Sequence, residues 1–140
     1  MCKILVFAGT AEGYALAEYL YENEVQAHIC TATKYGARKI KEREGFTCSG
    51  TRMDQGEIQA FLKEKGFTHV VDATHPYAAQ VSSNIRGACE ETGTPYLRVV
   101  RESAGADGED GEDGQVHYVD SIKAAVDLLE GTTGNILVTT

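Results

Sequence analysis

Short apolar runs and helical repeats alternate along the whole 140-residue chain. Apolar runs at Lys3 to Ala8, Gln26 to Thr31, Phe46 to Ser49, His69 to Asp72, Pro95 to Val99, Val116 to Val119 and Asn135 to Thr139 predict seven strands. Helical patterns near Glu12 to Glu22, Lys34 to Glu44, Asp54 to Lys65, Ala78 to Thr92 and Ser121 to Glu130 lie between them. Strands that alternate with helices are the mark of β-α-β units, whose crossovers are right-handed. The expected class is therefore α/β: a doubly wound, mainly parallel sheet with helices on both faces.

Several helices carry a stripe that suits a sheet. Leu16 with Leu20, Ile58 with Phe61 and Leu62, and Ile122 with Val126 and Leu129 stand at spacings of three, four and seven. Asp54 followed by Glu57 is a capping-box spacing, in which each side chain satisfies a backbone N–H at the start of the third helix.

Composition narrows the classes. With 42% apolar residues the chain can build one ordinary core. No run of about 18 apolar residues is present to span a membrane, and the start lacks a basic region and a long apolar stretch, so a cytoplasmic protein is expected. Of the 21 acidic residues six fall between Glu102 and Asp113, leaving 15 acids against 13 bases elsewhere. The acidity thus belongs to one segment, residues 102–114, read as a flexible solvated loop rather than a calcium site. Without a basic stripe, nucleic acid is not an expected partner. Cys2, Cys30, Cys48 and Cys89 are scattered, with no zinc spacing, and are expected to be free thiols; no metal site is expected.

Three stretches could carry chemistry. After the first strand comes Gly9-Thr10-Ala11-Glu12-Gly13, where a glycine turn followed by a helix N-terminus can hold an anion. It lacks the middle glycine of Gly-x-Gly-x-x-Gly, so a purely structural turn is the competing reading. After the second strand, Thr31, Thr33, Lys34 and Arg38 stand where a cofactor ribose would lie; cations there suit a 2′-phosphate and hence NADPH. After the fourth strand, Asp72, Thr74, His75, Pro76 and Tyr77 form a polar, proline-stiffened turn at the carboxyl edge of the sheet, where open parallel sheets bind ligands. The bland alternative is that Asp72 and Thr74 cap the next helix while His75 sits on the surface. Tyr35-x-x-x-Lys39 matches the catalytic pair of short-chain dehydrogenases, but it falls far too early in the chain for that role. No Ser or Cys stands in a nucleophile-elbow context.

Taken together, ILVFAGTAEGYALAEYL, SGTRMD, DATHPYAAQVSSN, GTPYLRVVRES and GNILVTT resemble the precorrin-6A reductase family of cobalamin biosynthesis, with Asp72 to Ala78 the most specific string. The resemblance covers about the first half of such an enzyme. It implies a Rossmann-like N-terminal domain over residues 1–130, with residues 131–140 beginning a second α/β domain. It also implies that NADPH reduces one ring double bond of precorrin-6A or its cobalt form in a cleft between the domains. Gly9 to Gly13, Thr31 to Gly36 and Asp72 to Ala78 would line one wall of that cleft. His75 would be the candidate proton donor, with binding of a carboxylate arm of the tetrapyrrole or capping of a helix as its alternatives. A stand-alone nucleotide-binding module without catalysis is the competing function.

Overall fold

The computed structural model describes residues 1–100 and 119–137. The chain divides into two compact units, residues 1–101 and 102–140. The first holds five strands, β1 (Lys3–Ala8), β2 (Gln26–Thr31), β3 (Phe46–Ser49), β4 (His69–Ala73) and β5 (Tyr96–Arg98). All pair in parallel in the order β3-β2-β1-β4-β5. Chain order reverses between β1 and β4, and a crevice at the carboxyl end of the sheet is expected there.

Alternation along β1 builds a core on each face. Leu5 and Phe7 join Ile58, Leu62, Ile85, Ala88 and Cys89, the buried residues of α3 (Gln55–Lys65) and α4 (Ala79–Thr92). Val6 and Ala8 join Ala17 and Leu20 of α1 (Ala11–Glu22), together with Ile29 and Phe46. Because every central strand is covered on both sides, strands read as apolar runs rather than strict alternations. The expected doubly wound class is what the fold shows.

Asp54 forms the capping box: its Oδ1 accepts the Glu57 N–H at 2.8 Å, and the Glu57 Oε2 accepts the Asp54 N–H at 2.8 Å. Gly66 then closes α3 in the left-handed conformation at φ 64°, which glycine adopts without a Cβ penalty.

The second expected helix, Lys34 to Glu44, is corrected to a single turn, α2 (Lys34–Ala37). No apolar stripe runs through residues 34–44 to hold a longer helix, and a turn at Gly45, φ 76°, folds Arg43 back onto Phe46. In the second unit, α5 (Ile122–Leu129) is capped by Ser121 and has no buried residue. The acidic segment 102–114 and residues 116–118 of the expected sixth strand lie outside the described residues; Val119 is not in a strand. Asn135 to Leu137 also carry no strand, since a strand needs a ladder partner and these residues have none among those described. The four cysteines are free, as expected; Cys30 and Cys89 are buried, and burial pushes their thiols up to about 12 and about 11. No helix among the described residues is long and apolar enough to cross a membrane.

Denaturant titration should separate the two contributions to α3. Ile58→Ala, which empties a fully buried position, should cost about 3 kcal/mol, whereas Asp54→Ala, which removes a cap, should cost about 1 kcal/mol.

Candidate active site

The carboxyl ends of β1 and β4 meet at a short turn. Thr10 is the N-cap of α1: its hydroxyl donates to the Ala73 carbonyl at 3.0 Å and accepts from the Gly13 N–H at 3.2 Å. The Gly9 N–H donates to the same carbonyl at 3.2 Å, so the loop is fastened to β4 before the helix begins. Gly13 serves packing. A Cβ there would lie 3.1 Å from the Ala8 Cα and 3.2 Å from the Ala73 oxygen, so glycine lets the first turn of α1 settle onto the sheet. Exposed Gly9 and Ala11 form the open mouth, and Glu12 in the first turn complements the positive end of the helix dipole.

A cavity of about 750 Å³ opens at Gly9, Thr10 and Ala11 and runs along α1 past Tyr14 and Glu18 to Lys39 and Lys41. The turn, the helix N-terminus and the adjoining cavity fit a dinucleotide phosphate and its sugar.

The end of β2 is closed by its own hydroxyls. Thr31 is buried, and its Oγ1 lies 2.9 Å from the Thr33 carbonyl and 3.1 Å from that of Ser49. Thr33 caps α2 by accepting the Gly36 N–H at 3.1 Å. Lys34 and Arg38 are exposed, and neither lines the cavity.

Across the switch point lies a buried polar cluster. Asp72 is 0% exposed. Its Oδ1 accepts from the Arg98 Nη1 at 2.6 Å, the Thr74 hydroxyl at 2.7 Å and the Thr74 N–H at 3.0 Å, and its Oδ2 accepts from the Tyr96 hydroxyl at 3.0 Å. Since the Thr74 proton goes to Asp72, Ser82 on α4 is the donor in its 3.2 Å contact with Thr74. The sheet imposes this pairing: Asp72 stands opposite Arg98, and Val70 opposite Tyr96, in the β4–β5 register. Burial pushes the Asp72 carboxyl up, but its hydrogen bonds, with those from the Thr74 hydroxyl and N–H and the Tyr96 hydroxyl among them, outweigh it and hold the group below the ordinary aspartate range.

Neither Asp72 nor Thr74 caps α4, whose N-cap, Ala78, makes no side-chain bond. The cluster instead anchors the turn that carries His75, Pro76 and Tyr77 into solvent. The Tyr77 N–H donates to the His75 Nδ1 at 3.2 Å, so the neutral ring carries its proton on Nε2. The two rings lie 5.0 Å apart. A Cβ on Gly9 would sit 3.6 Å from the Thr74 Cα and 3.7 Å from the His75 nitrogen, so the two turns are neighbours.

Arg98, Tyr96, Ser82 and Tyr14 escaped the sequence reading, which named Lys39 only in a pattern of no catalytic use here. Arg98 alone left a usable signal: a cation inside the apolar run PYLRVV needs a buried partner.

A parallel sheet with a helix N-terminus and a polar turn at its switch point defines a Rossmann-like α/β domain. Residues 3–140 match the model of the Precorrin-6x reductase CbiJ/CobK family, and the chain belongs to that family. It is 36% identical over 98 residues to the cobalt-precorrin-6A reductase of Salmonella typhimurium, covering 70% of this chain and 37% of that protein. Against the precorrin-6A reductase of Rhodobacter capsulatus it is 36% identical over 93 residues, covering 66% and 36%. The solved structure of CobK precorrin-6A reductase superposes with a TM-score of 0.63 at 31% identity, covering 76% of this chain and 42% of that one. A putative epimerase from Bacteroides thetaiotaomicron, at 20% identity and a TM-score of 0.54, shares the fold alone. The chain spans about two fifths of the length of these reductases.

Replacing Asp72 by Asn should strand Arg98 without its counter-ion and cost about 3 kcal/mol at neutral pH, measured by denaturant unfolding. The folded carboxyl titrates below the unfolded one, so its contribution is complete above the ordinary aspartate range and is lost as pH falls through the folded value. The acid-side loss of stability should therefore be shallower in Asp72→Asn than in the wild type.

Proposed function

We propose that this chain is the N-terminal, cofactor-binding half of an NADPH-dependent reductase that saturates one ring double bond of precorrin-6A or its cobalt form. The observation that carries the reading is the meeting of two turns at one sheet edge, Gly9 to Gly13 beside Thr74 to Tyr77, in a member of this reductase family. In this reading the Gly9–Ala11 mouth holds the cofactor phosphates, and the Thr74–Tyr77 turn faces the tetrapyrrole. The first unit, residues 1–101, then forms one wall of the reaction cleft, and a second α/β domain forms the other.

The nicotinamide supplies the hydride, so the protein needs no nucleophile; its tasks are orientation and proton supply. His75 is exposed on a turn held by the buried Asp72 cluster, with its Nε2–H directed away from the bond at Nδ1. That N–H can donate a hydrogen bond to a carboxylate arm of the macrocycle; delivery of a proton to the reduced ring system needs Nδ1 protonated as well, which gives up the contact with the Tyr77 N–H. Asp72 and Thr74, named with His75 as substrate residues from the sequence, support this turn from below.

In a full-length protein of this family carrying this N-terminal half, NADPH should be oxidised only when the tetrapyrrole is supplied. His75→Ala should lower kcat/KM about tenfold if the ring only binds an arm, and about a hundredfold or more if it donates the proton. An unchanged rate would remove His75 from the site. Cofactor binding without turnover in the full-length protein would favour the stand-alone binding module.

A further inference from the structure

The sequence points to Lys34 and Arg38 as cations for a cofactor 2′-phosphate, yet neither lines the cavity at the Gly9–Ala11 turn. The cations that do line this cavity are Lys39 and Lys41. Lys39 belongs to the Tyr35-x-x-x-Lys39 pattern that has no place in short-chain dehydrogenase chemistry here.

Its ammonium lies 4.9 Å from the Tyr35 ring centre and 5.7 Å from that of Tyr14, on the first turns of α1 just past the Gly9–Ala11 mouth. Two aromatic faces restrain a long side chain without neutralising it. Among the described residues no carboxylate forms an ion pair with Lys39. The restraint is also built into the packing. A Cβ on Gly36 would fall 2.7 Å from the Tyr14 hydroxyl, so glycine at this position lets Tyr14 stand between α1 and α2.

The end of β2 presents Thr31, Ala32 and Thr33 and no acid that would favour a free ribose 2′-hydroxyl. From these observations we propose that Lys39, seated on Tyr14 and Tyr35 beside the Gly9–Ala11 turn, is the residue that recognises the 2′-phosphate and so selects NADPH over NADH. This assignment rests on the cofactor reading of the previous section. It moves the specificity from Lys34 and Arg38, which do not line the cavity, to the exposed Lys39, which does. Lys41 also lines the cavity, but among the described residues no aromatic ring restrains its ammonium as Tyr14 and Tyr35 restrain that of Lys39.

The test is a set of binding titrations on the 140-residue chain with NADPH, NADH and 2′,5′-ADP, followed by calorimetry, with folding of each variant checked by circular dichroism. The wild type should prefer NADPH to NADH by at least about tenfold. Lys39→Met should lower affinity for NADPH and 2′,5′-ADP by about tenfold or more while leaving NADH unchanged. Lys34→Met and Arg38→Met should keep the wild-type preference. A Lys39→Met protein that retains the preference, or that loses both dinucleotides equally, overturns the Lys39 assignment and leaves the cofactor reading intact. Loss of preference in Lys34→Met or Arg38→Met instead overturns it in favour of those cations. A folded wild type that binds neither dinucleotide overturns the cofactor reading, and the assignment falls with it.

Discussion

The buried carboxylate of Asp72 organises the carboxyl edge of this domain. A charge taken fully out of water is costly unless donors surround it, and here an arginine, two hydroxyls and a backbone N–H do so within 3.0 Å. The donors come from different elements: Thr74 from the turn after β4, Tyr96 and Arg98 from β5. Ser82 on α4 adds a second layer through Thr74. Satisfying one anion thus joins an edge strand, a helix and a turn, and the exposed His75 inherits its position from that joint.

The same economy governs the other side of the switch point. The Ala73 carbonyl receives both the Gly9 N–H and the Thr10 hydroxyl, so the end of β4 holds the beginning of α1. Gly13 allows the helix to rest on the strands, and the mouth at Gly9 and Ala11 stays open. The middle position of the dinucleotide fingerprint, counted from Gly9, is Ala11, and the turn forms without a glycine there because the neighbouring Thr10 supplies the cap and the tether together. Thr10 and Gly13 build the turn, while Gly9 and Ala11 stay exposed at its mouth.

The two faces of the sheet then carry different chemistry. On the α4 face the Asp72 cluster supports the turn assigned to substrate. On the α1 face, shortening of the second helix to one turn leaves a groove beside Tyr14 and Lys39 where a longer helix would have packed. The groove begins where the Gly9–Ala11 turn ends, and it is the space that the proposed function gives to the cofactor.

Sequence alone determined the strands β1, β2 and β3 to the residue, the capping box of α3, the parallel α/β class and the family, because these depend on local periodicity, local caps and contiguous strings. It also located both turns. It overextended the second helix, since a run of lysines, arginines and glutamates has helical propensity but no apolar stripe to pack. Only the tertiary structure decided which motif residues face inward. Asp72 and Thr31 looked like ligands because they are polar and lie at strand ends, but their environment comes from partners such as Arg98, 26 residues away, and Ser49, 18 residues away. Strand register creates those contacts, and register between parallel strands joined by long crossovers leaves no short-range mark in the chain.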